Sequence, residues 1–113
     1  MSKKIDYIAI DDKTFPKGMD AECFTFNSLK KAWINAKMKS EREHVTPFIK
    51  YNPDKFKIFN YQNKNNLSHF RWTVDEKDDL KLVRKIYKLL KPEIIFSLER
   101  ILDVIAKNPE IVE

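Results

Sequence analysis

Asp75 closes the segment RWTVD and stands directly before an acidic, strongly periodic stretch, EKDDLKLVRKIYKLL, which places its carboxylate where a strand gives way to a helix. Open α/β sheets present their ligands at that edge. A carboxylate there suits magnesium, which takes hard oxygen ligands, commonly one or two carboxylates with phosphate oxygens and water. One aspartate cannot complete such a site. The position equally suits a helix cap, with Asp78 three residues on favouring the positive end of the helix dipole. A second acidic pair, Asp20 and Glu22, lies at the start of a strand with both side chains on one face, able to accept hydrogen bonds from sugar hydroxyls or amides. Gly18, just before them, would let a ligand approach. The alternative is a solvated strand entry ahead of core Phe24 and Phe26.

Arg42, Glu43 and His44 lie together in SEREHVTP. Arg42 could bind a carboxylate or phosphate through two parallel hydrogen bonds, and His44 could donate to a sugar or exchange a proton. A polar cluster at a helix end, bridging to a neighbour or a second subunit, accounts for them as well. His69 and Arg71 share one face of the strand entering Asp75 and either support a metal site or face solvent. Cys23 alternates within a strand and reads as a small buried residue, since no histidine or helix N-terminus adjoins it. Trp33, Trp72 and the phenylalanines read as core and not as stacking platforms.

The elements that must hold these groups follow from pattern. Residues 5–10 (IDYIAI) and 21–26 (AECFTF) read as strands separated by the turn-forming TFPKGMD, with Phe24 and Phe26 on one face. Asn27 or Ser28 can cap a helix to about Lys39, because Leu29, Ala32, Trp33 and Ala36 recur at helical spacing. A short helix enters at Thr46 with Pro47 in its first position, where a missing N–H costs nothing. Residues 56–61 (FKIFNY) and 69–74 (HFRWTV) read as two further strands. A helix over 78–90 carries Leu80, Val83, Tyr87 and Leu90 on one face, broadened by Leu82, Ile86 and Leu89. Beyond Pro92, Ser97 can cap a last helix with Leu98, Ile101, Leu102 and Ile105 as its apolar stripe, ended by Asn108 and Pro109. Four strands among helices predict the α/β class, a mixed sheet covered by helices.

The chain has 113 residues, room for one domain with one core. With 22 Lys and Arg against 17 acidic residues it carries a net charge of +5, but the charges alternate along the sequence. That pattern marks solvated helix faces more than a nucleic-acid stripe. A single cysteine excludes internal disulfides and multi-cysteine zinc sites. The opening MSKKIDYIAID lacks the apolar core and cleavage site of a secretory signal, and no stretch is long and apolar enough to span a membrane. A soluble, cytoplasmic protein is expected. Gly18 is the only glycine, which excludes a P-loop or a dinucleotide fingerprint, since both wrap phosphates with glycine-rich backbone.

Three segments together resemble one family. RWTVD with the acidic helix after it is similar to RWTVDTPEDLELV, TFPKGMDAECF to TFPxGLDVEVF, and SEREHVTPFI to SEREHVTPYI, all of the spore-coat polysaccharide cytidylyltransferases (SpsF), relatives of the acylneuraminate-type sugar cytidylyltransferases. Lys77 replaces the proline that opens the family's helix. The resemblance runs to the closing ILDVIAKNPEIVE and covers only the carboxyl-terminal half of the family's length. It implies that residues 1–113 form the C-terminal portion of a Rossmann-like nucleotide-sugar nucleotidyltransferase fold, a partial mixed sheet with covering helices. It further implies that Asp75 is a magnesium ligand and that Gly18, Asp20, Glu22, Arg42 and His44 lie on the sugar side. The family's QARMGSxRLPGK loop and DxP metal aspartate have no counterpart here. The expected function is therefore the sugar-side part of an enzyme that couples CTP to a sugar, giving a CMP-sugar and pyrophosphate for surface or spore-coat polysaccharide, and inactive alone. Its partners would be the sugar, CTP and an N-terminal-half polypeptide or a second copy, with neither membrane nor nucleic acid. The alternative is a non-catalytic basic module that binds nucleic acid or protein, whose affinity would fall steeply with salt.

Overall fold

A computed structural model describes residues 4–112, so Met1, Ser2, Lys3 and Glu113 lie outside the description. The chain forms two compact units divided between Phe70 and Arg71. The first unit is built on a three-stranded sheet of β1 (Tyr7–Ile10), β2 (Glu22–Phe24) and β3 (Ile58–Tyr61), in the order β2-β1-β3. β1 runs antiparallel to β2, with Tyr7 opposite Phe24 and Ala9 opposite Glu22, and parallel to β3, with Tyr7 beside Ile58 and Ile10 beside Tyr61. The sheet is therefore mixed, as the α/β reading requires.

Alternation along the strands decides what each face does. Tyr7 on β1 packs with Ala32, Phe48, Ile49 and Phe56 in the core, and Ala9, Phe24 and Ala36 close around it. Cys23 falls between Glu22 and Phe24 and is carried to the opposite face, where it is exposed; the expected buried cysteine is thereby corrected. Phe59 and Tyr61 share that face and are about half exposed, with the Tyr61 ring stacked 5.9 Å from Phe15.

The helices begin where side chains can satisfy free backbone N–H groups. Helix α1 (Phe26–Asn35) starts earlier than expected because Thr25, not Asn27 or Ser28, is the cap: its hydroxyl accepts the Ser28 N–H at 3.1 Å. The cap ends β2 at Phe24, so Phe26 does not share a strand face with it and is 79% exposed. The helix also stops short of Lys39, and Trp33, expected in the core, is 69% exposed. Its buried stripe is carried by small residues, Ser28 and Ala32, which let the helix lie close to the sheet. Helices α2 (Lys39–Glu43) and α3 (Pro47–Lys50) follow, the latter with Pro47 in its first turn.

The second unit pairs helix α4 (Lys77–Leu90) with α5 (Leu98–Lys107) and a closing 3-10 turn, Pro109–Val112. Ile86, Leu90, Val104, Ile105 and Ile111 are its buried residues. Tyr87, expected on the buried face of α4, is 53% exposed, because that face centres on Ile86 and Leu90. Ser97 caps α5 as the spacing predicts, accepting the Arg100 N–H at 3.2 Å. Residues 69–74 do not form the fourth strand. The Phe70 N–H closes a turn onto the Leu67 carbonyl, and the aromatic and β-branched residues after it suit extended backbone without building a ladder.

Ile49 is fully buried at the centre of the first unit. Ile49→Ala should destabilise that unit by about 2–5 kcal/mol, the usual cost of a large-to-small change in a packed core. Chemical denaturation followed by tryptophan fluorescence and far-UV circular dichroism would measure it, and a loss below about 1 kcal/mol would contradict the packing described.

Candidate functional site

The open ends of β1, β2 and β3 surround a cavity of about 590 Å³, and its wall includes Tyr7, Asp12, Asp20, Glu22, Lys50 and Asn60. The sequence pairing of Asp20 with Glu22 is thus realised as two carboxylates on one cavity, although Asp20 precedes the strand that Glu22 begins. Gly18 adopts φ 100°, a conformation that costs a residue with a Cβ and fits the turn closed by the Met19 N–H on the Pro16 carbonyl.

Glu22 is held from behind. The Tyr7 hydroxyl donates to Glu22 Oε2, and the Thr46 hydroxyl donates to the same oxygen at 2.7 Å. Tyr7 and Thr46 are both deeply buried, 3% and 5% exposed. Thr46 enters α3 as the spacing predicts, yet its side chain makes no capping bond; the hydroxyl is spent on Glu22 instead. The charge balance follows. Burial pushes the Glu22 carboxyl up, but the Tyr7 and Thr46 hydrogen bonds and the nearby Lys50 ammonium outweigh it and bring the net shift below the ordinary value. Burial, seconded by the Glu22 carboxylate, raises the Tyr7 phenol far above its usual range.

Asp11, next to the cavity, is buried and accepts from Asn60 Nδ2 at 3.2 Å and from the Lys13 N–H at 3.3 Å. It fixes the Asn60 amide at the mouth of the parallel strand pair. Arg42 and His44 lie elsewhere in this unit. They line a separate cavity of about 250 Å³ with Trp33 and Ala36. There Arg42 Nη1 donates to the Trp33 carbonyl at 2.9 Å in the last turn of α1, and His44 terminates α2.

Asp75 belongs to the second unit, where its surroundings are set by Asp79. Arg71 donates two hydrogen bonds to Asp79, at 3.1 and 3.0 Å, and a longer one of 3.3 Å to Asp75 Oδ2. Asp79 Oδ2 also accepts the backbone N–H groups of Asp75 and Glu76, each at 3.0 Å. The Arg71 guanidinium and these two N–H groups hold the Asp79 carboxyl well below the usual carboxylate range. The cap of α4 is Glu76, so Asp75 itself is not the capping residue and its side chain stays 70% exposed. Arg71 faces these two carboxylates; His69 instead sits against the Phe70 ring at 4.2 Å. Among the described residues no three His, Cys, Asp or Glu side chains converge as a metal site. Asp75 offers one exposed carboxylate, engaged through Oδ2 only by the 3.3 Å contact from Arg71.

No family model matches the sequence. An uncharacterized protein of Methanocaldococcus jannaschii is 38% identical over 116 residues, an alignment spanning 98% of this chain and 45% of that protein. A cytidylyltransferase from Leptospira borgpetersenii serovar Hardjo-bovis superposes with a TM-score of 0.82 at 35% identity, over 96% of this chain and 45% of the other. The chain has the fold of part of a cytidylyltransferase. It spans less than half the length of either relative. The nucleotidyltransferase-like fold expected from sequence is thus present as a portion of the cytidylyltransferase architecture, and among the described residues no helix is long and apolar enough to cross a membrane.

Sequence reasoning missed Tyr7, Thr46, Asn60 and Asp79. Tyr7 read as a strand residue and Thr46 as a cap, roles that hide a side-chain hydroxyl directed elsewhere. Only Asp79 left a usable trace, an acidic residue in the first helical turn four positions after Asp75.

Because the folded Glu22 titrates below its ordinary value of 4.5, its contribution to stability is fully present above that value and is lost as pH falls through the lower, folded one. Thr46→Val should move the Glu22 midpoint upward, read by carboxyl NMR titration; a midpoint that stays put would show that the Thr46 bond does not hold the charge. Asp79→Ala should speed hydrogen exchange at the Asp75 and Glu76 amides while leaving the amides of β1 unchanged.

Proposed function

We propose that this chain is the sugar-side and second metal-ligand part of a cytidylyltransferase of the spore-coat type, which transfers CMP from CTP to a sugar for surface polysaccharide. The single observation that carries the reading is the likeness to the Leptospira cytidylyltransferase, close in both sequence and backbone over nearly the whole chain. In the reaction a sugar hydroxyl oxygen forms a bond to the α-phosphorus of CTP. The bond from that phosphorus to the oxygen bridging the β-phosphate breaks in line, pyrophosphate leaves, and the hydroxyl proton passes to solvent.

Asp20 and Glu22 hold the sugar through hydrogen bonds at the cavity wall, and Asn60 orients a further hydroxyl. Asp75 offers one carboxylate to magnesium, which when bound neutralises phosphate charge. Arg71 and Asp79 fix the backbone from which Asp75 projects. Arg42 and His44, on a separate cavity, contribute by shaping the end of α1 and the turn into α3. Turnover requires the polypeptide equivalent to the rest of the relatives' length, since positioning and charge stabilisation act only on a complete constellation.

The isolated chain should release no pyrophosphate from CTP in the presence of sugar. Replacing the matching portion of the Leptospira enzyme with this chain should give a chimera that does, and Asp75→Asn in that chimera should lower the rate by at least about 100-fold. Pyrophosphate release by the isolated chain would refute the partial reading. A folded chimera that turns over no CTP with any sugar would refute the cytidylyltransferase reading.

A further inference from the structure

A carboxylate on a ligand cavity ordinarily samples several rotamers and accepts from solvent through both oxygens. Glu22 does neither. Two hydroxyls, from Tyr7 on β1 and Thr46 at the head of α3, converge on its Oε2. Both donors are more than nine-tenths buried. Oε1 has no hydrogen-bond partner among the described residues, and Glu22 forms part of the cavity wall. Two donors on one oxygen occupy its lone pairs and leave the other oxygen as the outward acceptor.

We infer that Tyr7 and Thr46 are positioning residues that fix Glu22 as a one-sided acceptor for hydroxyl or ammonium donors of the sugar, and that the cavity thereby rejects a sugar face bearing a carboxylate. This rests on the sugar-side reading given above and adds the chemical class of the group admitted. The donors hold Glu22 in its ionised form, and an ionised carboxylate cannot donate to an anion. An incoming carboxylate would meet Oε1 with like charge and no proton between them. The remaining wall reinforces this, because Asp12 and Asp20 add two carboxylates against the single ammonium of Lys50. Lys50 acts electrostatically on Glu22, and its one positive charge leaves the three carboxylates of the wall in excess. An amino or neutral sugar therefore finds fixed acceptors whose ordering cost is already met by folding.

The test is an NMR titration of the 113-residue chain with D-glucosamine, D-glucose and D-glucuronate, following the amides of Ala21, Glu22 and Asn60. Glucosamine and glucose should shift these amides at tens of millimolar, and glucuronate should bind at least about 10-fold more weakly, the factor that 1.4 kcal/mol of like-charge cost produces. Thr46→Val and Tyr7→Phe should each weaken glucosamine binding about 10-fold, while Thr46→Ser restores it. Glu22→Gln should abolish the preference for glucosamine over glucuronate, a change that mere loosening of the fold would not produce. Glucuronate binding as tightly as glucosamine, or Thr46→Val binding like the wild type, would overturn the inference while leaving the cytidylyltransferase reading intact. An active chimera whose wild-type segment shows no sugar-dependent shift at these amides would also overturn it. Clear glucosamine selectivity with an inactive chimera would sink the cytidylyltransferase reading alone.

Discussion

The hydrogen bonds that Tyr7 and Thr46 give to one oxygen of Glu22 join three elements of the first unit at the cavity. Tyr7 stands on the central strand, Glu22 opens the antiparallel edge strand, and Thr46 begins the short helix that carries Phe48 and Ile49 into the core. This junction adds to the backbone ladder of a three-residue strand and to the flanking bonds from the Ile10 N–H to the Ala21 carbonyl and from the Thr25 N–H to the Asp6 carbonyl. Burying two hydroxyls is costly unless both find acceptors, and a carboxylate that accepts both repays the cost. The core therefore ends in a polar seam whose outer side is a cavity-facing carboxylate.

The second unit solves a similar problem by different means. Its helix α4 lacks the proline expected to start it, and Lys77 cannot supply the same pre-set backbone angle. Asp79 reaches back to the N–H groups of Asp75 and Glu76 while gripping Arg71. One side chain thus completes the capping box begun by Glu76, pairs with Arg71 and braces the backbone at Asp75. The long third contact from Arg71 leaves Asp75 oriented yet only weakly held.

Helical periodicity and turn chemistry were legible in the sequence: α4, α5, the Ser97 cap and the Pro47 start of α3 all follow from spacing and residue type. Strand readings fared less well, because residues 69–74 have the composition of a strand but no ladder, and composition reports only a fit to extended, half-buried backbone. Trp33 went to the surface because helical spacing marks a face without saying how wide its buried stripe is. Cys23 illustrates the sharper failure: once Glu22 takes the cavity side, alternation forces the cysteine outward, and one-residue register decides every side chain on the strand. The pairing of Asp20 with Glu22 was readable from spacing. Thr46, Asn60 and Tyr7 were not, since each comes to the site from a different element, through contacts that local sequence does not encode.

The single glycine limits how this chain can recognise a ligand. Its positive φ is consumed in the turn ahead of Asp20, so no other position in the chain offers a backbone free of a Cβ for close approach to phosphate. Recognition on this chain must run through side chains, and those at the cavity are carboxylates, an amide and a single ammonium. Such groups match hydroxyls and amines far better than a triphosphate, whose charge calls for converging N–H donors and cations. The chemistry of the residues at the cavity thus favours a ligand rich in hydroxyls or amines over a polyphosphate.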